Sequence, residues 1–291
     1  MSMNRNDLQK KIQAISNLPT LPVVVMEINR VLQDYESPVQ RLVELLEKDQ
    51  SLVLKILKLV NSSFFGFKSK VSSLRHAVTL LGYNTIQSAV VAVAVIDTLA
   101  MKDKLNGFDI EQFWEHSIRV AVLSKYLAAK TRLAPAEDAF TTGLLHDIGK
   151  IILANFFPET LVEIIGATQA GALSFSEAEK SLDVVSHGYI GGLLAQRWML
   201  PDILVKTIHY HHNGAERTPH PRLTVLVNLS DALVHKMAGE DKYQLNMDQL
   251  SAHEKNSMMQ FLTTDTTWYK QVIIEMQEAT SFFKRGQNHG E

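Results

Sequence analysis

The sequence predicts an all-α protein, a helical bundle. Apolar residues recur at three- and four-residue spacing almost throughout its 291 residues, and few segments alternate with period two. Helix-capping residues stand where apolar runs begin, at Ser37, Asp49, Asn84 and Asp109. The segment Thr85 to Ala100 is apolar on nearly every face, as expected of a helix in the middle of a helical core.

In chain order, Leu18-Pro19-Thr20-Leu21-Pro22 is a rigid extended lead-in, with no backbone donor at either proline. Ser37-Pro38 pairs an N-cap with proline at the first helical position, opening a helix to about Glu47. Asp49 caps the next helix, whose stripe Leu52, Ile56, Leu59 and Val60 ends near Asn61. Asn61 to Gly66 reads as a turn with Phe64 and Phe65 to bury. Ser72 or Ser73 starts a short helix that stops at Gly82, and Asn84 caps its successor. Lys102 to Phe108 is a polar connector. Asp109 and Gln112 fit a capping box for a helix to about Lys130. Asp138 to Ile152 is helical, Gly166 to Ser176 reads as loop, and Ser176 with Glu179 fits a second capping box. Ser186 to Trp198 is helical despite Gly188, Gly191 and Gly192, which implies close helix-helix approach. Pro201 opens a helix leading to His209, Pro219 and Pro221 precede one from Leu223 to Met237, and Asp248 to Phe283 forms two more.

Composition excludes several kinds of chemistry. There is no cysteine, so disulfides, zinc-thiolate sites and thiol catalysis are out. The net charge of -2, without long runs of one sign, gives no general grip on nucleic acid or anionic membrane. The cations Lys55, Lys58, Lys68, Lys70 and Arg75 read as a solvated helix face. The polar N-terminus is unlike a signal peptide, and Ser88 to Ile96 is too short to span a bilayer. A cytoplasmic, soluble protein is the expectation.

What stands out chemically is a set of imidazoles and carboxylates: His116, His146-Asp147, His187, the cluster His209, His211 and His212, and Asp231. Neutral imidazole and ionised carboxylate are what a site for Fe, Mn, Zn or Mg offers its ion. A lone histidine is usually a hydrogen-bonded core or surface residue. The ordered set argues otherwise. Trp114 and Trp198, which flank these histidines, read as walls of a core.

The order His116, His146-Asp147, Asp231 resembles the HD superfamily of metal-dependent phosphohydrolases. Further stretches narrow the resemblance: Leu18-Pro19-Thr20-Leu21-Pro22, Glu47-Lys48-Asp49, Leu57 to Ser62, Phe65-Gly66, Ala77-Val78, Leu80-Leu81-Gly82, Trp114 to Ser117, Gly143 to Lys150, His187 to Gly191, Trp198 to Pro201 and His211-His212. Together they are similar to the HDOD family, the HD-related output domain of bacterial signal transduction. The resemblance covers an HDOD domain at 18–215, with an N-terminal helical lobe at about 18–105 and an HD-type lobe at about 106–240. Residues 241–291 are then a C-terminal helical extension.

The resemblance implies a regulatory protein acting through signalling protein partners, because many family members have lost HD metal ligands. Here the ligand positions look intact. They are similar to those of HD-GYP cyclic-dinucleotide phosphodiesterases at His116, His146, Asp147, His187, His211, His212 and Asp231, and also at Lys150. Two departures count against that activity. Gln112 stands where some HD-GYP enzymes use a metal-binding Glu, and the Gly-Tyr-Pro loop signature after Lys150 is missing.

On this reading one or two divalent ions bind, with Asp147 as the bridge. His116, His146 and Asp231 complete one shell, and His187, His211 and His212 the other. Two ions ~3.5–4 Å apart would clamp a phosphoryl group and activate water. Asp147 and Lys150 are the candidate catalytic groups, Lys150 as the partner of a phosphate oxygen or else as a solvated lysine near a helix end. His209 and Gln112 are placed beside the ligands rather than among them. The alternative to a regulatory protein is a metal-dependent phosphohydrolase acting on a nucleotide or cyclic dinucleotide.

Overall fold

A computed structural model describes residues 5–15, 18–33, 39–61, 71, 73–99, 107–171, 173–212, 218–264 and 267–287. Every regular element among them is a helix. In chain order these are α1 (Arg5–Ala14), α2 (Val23–Gln33), α3 (Val39–Leu46), α4 (Gln50–Val60), α5 (Leu74–Thr98), α6 (Ile110–Thr131), α7 (Ala136–Leu145), α8 (Ile148–Phe156), α9 (Pro158–Gly171), α10 (Phe175–Ser181), α11 (His187–Arg197), α12 (Asp202–Tyr210), α13 (Pro221–Met237), α14 (Ala252–Thr264) and α15 (Thr267–Gln287). They form two compact units, one from residues 1–18 and 101–263, the other from 19–100 and 264–291.

In the second of these units, α2, α3 and α4 pack on α5. Asp49 caps α4 by accepting from the Leu52 amide at 3.0 Å, and Ser73 caps α5 by accepting from His76 at 3.2 Å. Inside α5, Gly82 has φ 77° and ψ 170°, which breaks the helical course where the sequence predicts a stop. By length and apolarity α5 would suffice to cross a membrane. Its stretch Ser88–Ile96, however, is buried at every residue, as the all-round apolar pattern predicts. Asn61 closes the end of α4, its amide donating to the Leu57 and Val71 carbonyls at 2.8 and 2.7 Å. The expected cap at Ser37-Pro38, the rings of Phe64 and Phe65, and most of the 102–108 connector lie outside the described residues.

In the other unit α6 packs on α7 and α13, α8 on α9 and α11, and α12 on α7, α11 and α13. Asp109 caps α6 through the Glu111 and Gln112 amides, at 2.9 and 3.2 Å. The reciprocal bond of a capping box is replaced by one from the Gln112 side chain to the Asp109 carboxylate, at 3.5 Å. Residues 166–176 depart from the expected loop. α9 continues to Gly171, and the capping box belongs to Ser174 and Glu177 rather than Ser176 and Glu179. Gly166 sits in open space within α9, so its small size reflects no turn. Helix α1 joins this unit by burying Leu8 and Ile12. Its Gln9 and Gln13 side chains donate to the Tyr189 hydroxyl at 2.8 and 3.0 Å.

The glycines of α8 and α11 set how closely these helices approach. A Cβ on Gly149 would fall 2.0 Å from the His187 carbonyl oxygen, and one on Gly188 2.8 Å from that of His209. Gly149→Ala should therefore force α8 and α11 apart and cost at least about 1–3 kcal/mol. Gly166→Ala, with nothing near its added carbon, should leave stability unchanged or raise it by up to about 1 kcal/mol. Thermal melting of the far-ultraviolet helical signal compares the two variants. Equal midpoints would contradict this packing account.

Candidate metal centre

Most of the histidines and aspartates of interest sit at or near helix ends, where the backbone can turn several side chains toward one point. Helix α7 stops at Leu145 and α8 starts at Ile148, leaving His146-Asp147 at the break. Asp147 has φ -100° and ψ 4°, the conformation of a turn residue. His187 is the first residue of α11, directly after the N-cap Ser186, and His211-His212 follow the last residue of α12. The second turn of α6 supplies His116, and α13 supplies Asp231. His146, Asp147, His187, His211 and Asp231 are all at most 2% exposed.

Hydrogen bonds fix which ring nitrogen carries the proton. The His146 Nδ1 donates to the Gly143 carbonyl and the His211 Nδ1 to the Ile208 carbonyl, each at 2.7 Å. The His187 Nδ1 donates to the Glu179 carboxylate at 2.9 Å. Because a carbonyl only accepts, His146 and His211 when neutral carry their proton on Nδ1 and present bare Nε2 lone pairs, and the Glu179 contact favours the same form of His187. Those lone pairs point at acceptors. The His187 Nε2 lies 3.2 Å from that of His211 and 3.1 Å from Asp147 Oδ1. On the other carboxylate oxygen, the His146 Nε2 lies 3.3 Å and the His116 Nε2 3.9 Å from Asp147 Oδ2. Asp231 Oδ1 lies 3.0 Å from His116 and 3.7 Å from His146, and Asp231 Oδ2 lies 3.8 Å from His212.

The shorter of these, 3.0–3.3 Å, match the separations of ligands around an ion. Donor atoms ~2.1 Å from a common ion stand roughly 3.0–3.4 Å apart at neighbouring positions. His116 Nε2, His146 Nε2, Asp147 Oδ1 and Asp231 Oδ1 are buried with no hydrogen-bond partner among the described residues. Buried polar atoms are almost always paired, so this group of orphans fits missing cations. The atoms fall into groups that could each hold an ion: Asp147, His187, His211 and His212; His116, His146 and Asp147; and His116, Asp231 and His235. Asp147 turns one oxygen to each side.

Electrostatics follow from this crowding. Burial alone would raise Asp147 and Asp231, but the charges of His146 and Lys150 on the first, and contacts with His116, His146 and His235 on the second, hold both well below the usual carboxylate range. Burial works to lower His146, yet Asp147 and Asp231 push it up to about 10. His211 is pushed down to about 4 by burial, with the charges of His187 and His146 adding to it. Burial also lowers His212 and His116, while Glu179 and Asp147 raise His187 against it. Lys150 places Nζ 2.6 Å from Asp147 Oδ2 and 4.6 Å from the Phe175 ring centre. It belongs to the cluster and is not a solvated lysine.

Two further expected residues lie beside the grouped ligand atoms and not among them. The His209 ring packs edge-on to Tyr189, with centres 5.3 Å apart, and Gln112 is turned toward Asp109. Sequence reading missed Glu179, which also accepts from the His187 amide at 2.6 Å, and His235, one helical turn beyond Asp231. The i,i+4 spacing of Asp231 and His235 was a usable signal. Nothing local marks Glu179, whose role depends on how α10 meets α11. Trp114 and Trp198 are buried, as core walls should be. A cavity of about 540 Å³ opens on the cluster, lined by His116, Asp147, Lys150, Arg119, His235 and Tyr243 among others.

The family model of the HDOD domain matches residues 18–214. An uncharacterized protein of Treponema pallidum is 28% identical over 257 residues, covering 87% of this chain and 49% of that protein. The chain thus spans about half the length of that relative. A structure from Shewanella amazonensis SB2B, named as a phosphohydrolase, is 26% identical with a TM-score of 0.67, covering 97% of this chain and 94% of its own. An HDOD domain protein of unknown function from Geobacter sulfurreducens is 24% identical with a TM-score of 0.72, covering 94% and 95%.

A metal ion bound at His146 would displace the proton that the nearby carboxylates favour on that ring, so apparent affinity should rise with pH. Titration calorimetry with a divalent ion, in two buffers of different ionisation heat at pH 7, counts the protons. Net release is expected. Binding without release would contradict the assignment of His146 as a ligand.

Proposed function

The chain belongs to the HDOD family, and we propose that it is a signal-transduction protein whose HD-type unit holds a divalent metal centre and whose output is contact with protein partners. The observation that carries this reading is the convergence of imidazole Nε2 lone pairs on two buried, unpaired carboxylate oxygens. One or two ions occupy the centre. Its many imidazoles favour Fe, Mn or Zn over Mg. Such ions, when bound, supply positive charge and Lewis acidity. Because their ligands come from α6, the α7–α8 break, α11, the end of α12 and α13, occupancy ties these elements together. Metal load therefore sets the order of the unit, which gives a regulatory protein something to sense. Partner contact draws on the other unit, where Val23, Leu54 and Leu80 are 73%, 60% and 46% exposed. The chain's setting on this reading is the cytoplasm.

A metal-dependent phosphohydrolase is the second reading, favoured by the cavity over His116 and Asp147. There Lys150 and Arg119 could hold phosphate oxygens of a nucleotide or other phosphate ligand. Cyclic dinucleotides fit less well, because Gln112 is turned to Asp109 and α8 continues directly after Lys150.

Two variants separate the readings. Asp147→Asn removes the charge shared by both ion positions and should lose metal by at least about tenfold in affinity. Leu54→Glu should keep metal but lose partners recovered by cross-linking in cells. The metal-loaded protein should turn over cyclic dinucleotides at background rate. Hydrolysis near the roughly 1 s⁻¹ of ordinary enzymes, abolished together with signalling by Asp147→Asn, would decide for the enzyme.

A further inference from the structure

His235 carries chemistry that the HD-type ligand set does not use. It lies on α13 one turn after Asp231, and its side chain is 16% exposed where the cluster meets the large cavity. Its Nε2 lies 3.3 Å from Asp231 Oδ1, the same oxygen that His116 approaches at 3.0 Å. That oxygen has no hydrogen-bond partner among the described residues, so neither contact is aligned as a hydrogen bond. The ring centres of His116 and His235 are 4.5 Å apart, and both rings offer nitrogen to the same small volume.

The ring is also held in place. Tyr243 stacks on it with centres 3.6 Å apart and planes within 2°. On its far edge the Nδ1 faces the Glu240 carboxylate at 3.3 Å. A carboxylate on Nδ1 keeps the proton there and leaves Nε2 bare, the arrangement that orients histidine ligands toward a metal. Glu179 does this for His187 at the opposite side of the cluster. The order of groups is the same on the two sides, carboxylate, imidazole and aspartate oxygen, with the Glu240 contact longer and its side chain 43% exposed.

We propose that His235 is a metal ligand, completing with His116 and Asp231 the ion position on the cavity side of the centre. Donor spacings of 3.0 and 3.3 Å about Asp231 Oδ1 match neighbouring ligands of one ion. The position takes a transition ion, since His116 and His235 bring two imidazoles to it beside the aspartate oxygens. Its open side faces the cavity, where water or a phosphate oxygen can reach it.

This inference rests on the metal-centre reading above, and titration with Co²⁺ alone separates the two. Wild-type protein should take two equivalents, distinguishable by visible absorption of the bound ion. His235→Gln should keep the first equivalent and bind the second on the order of 100-fold more weakly. His235→Glu, which returns a ligand, should restore it, whereas a purely packing or hydrogen-bonding role would not respond to that change. Should His235→Gln fail to fold, Glu240→Gln serves instead, with the second equivalent weakened about 10–100-fold through loss of the orienting carboxylate. A variant that folds and binds both equivalents as wild type does overturns the assignment of His235 alone. Wild-type protein that binds no Co²⁺ overturns the metal centre itself.

Discussion

Burial of three carboxylates in one helical unit is the constraint on which the rest depends. Asp147, Asp231 and Glu179 are 1%, 2% and 1% exposed. Each ion taken from water costs several kcal/mol unless opposite charge or well-aimed donors offset it. Glu179 is satisfied by the amide and ring of His187, and Asp147 is partly satisfied by Lys150. The remaining carboxylate oxygens face imidazole nitrogens, and the Nδ1 protons of His146, His187 and His211 are committed to other acceptors. Either excess protons or metal ions must supply the balance. The Nε2 atoms of His187 and His211 stand 3.2 Å apart, a contact that needs either a proton or an ion between them.

Packing turns that electrostatic demand into geometry. Gly149 and Gly188 let backbones approach too closely for any side chain, and so bring the start of α11 against both the α7–α8 break and the end of α12. Gly143 does the same for α7 on α6, where an added Cβ would lie 2.8 Å from the Ala121 backbone. The His-Asp pair, His187 and His211 are thus positioned by contacts between backbones, which tolerate little adjustment. Helix ends matter equally. His146 and His211 each return their Nδ1 to a carbonyl three residues earlier, a bond available where the chain leaves the regular helix.

Much of this was legible in the sequence, for physical reasons. Helical period, the caps at Asp49, Ser73 and Asp109, and the stop at Gly82 are local signals, and the described residues follow them. The ligand residue types could be read because imidazole and carboxylate in that order have few uses in a core. What failed depended on tertiary context. Residues 166–171 hold glycines that suggest a loop, but α9 runs on through them from a segment anchored by the buried Thr160, Leu161 and Ile164. Glu179 looked like a cap because its spacing from Ser176 fits one, whereas Ser174 captures that role and frees Glu179 for His187. His235 went unread because its partners, Tyr243 and Glu240, come from the chain beyond α13.

The central claim is that these histidines are ligands and not carriers of extra protons. Anomalous diffraction from crystals of the metal-loaded protein, collected on both sides of the absorption edge of the bound ion, tests it most directly. The account predicts one peak among Asp147, His187 and His211, and a second beside His116 and Asp231. Crystals of protein soaked in excess transition metal that show no peak at either place would contradict it.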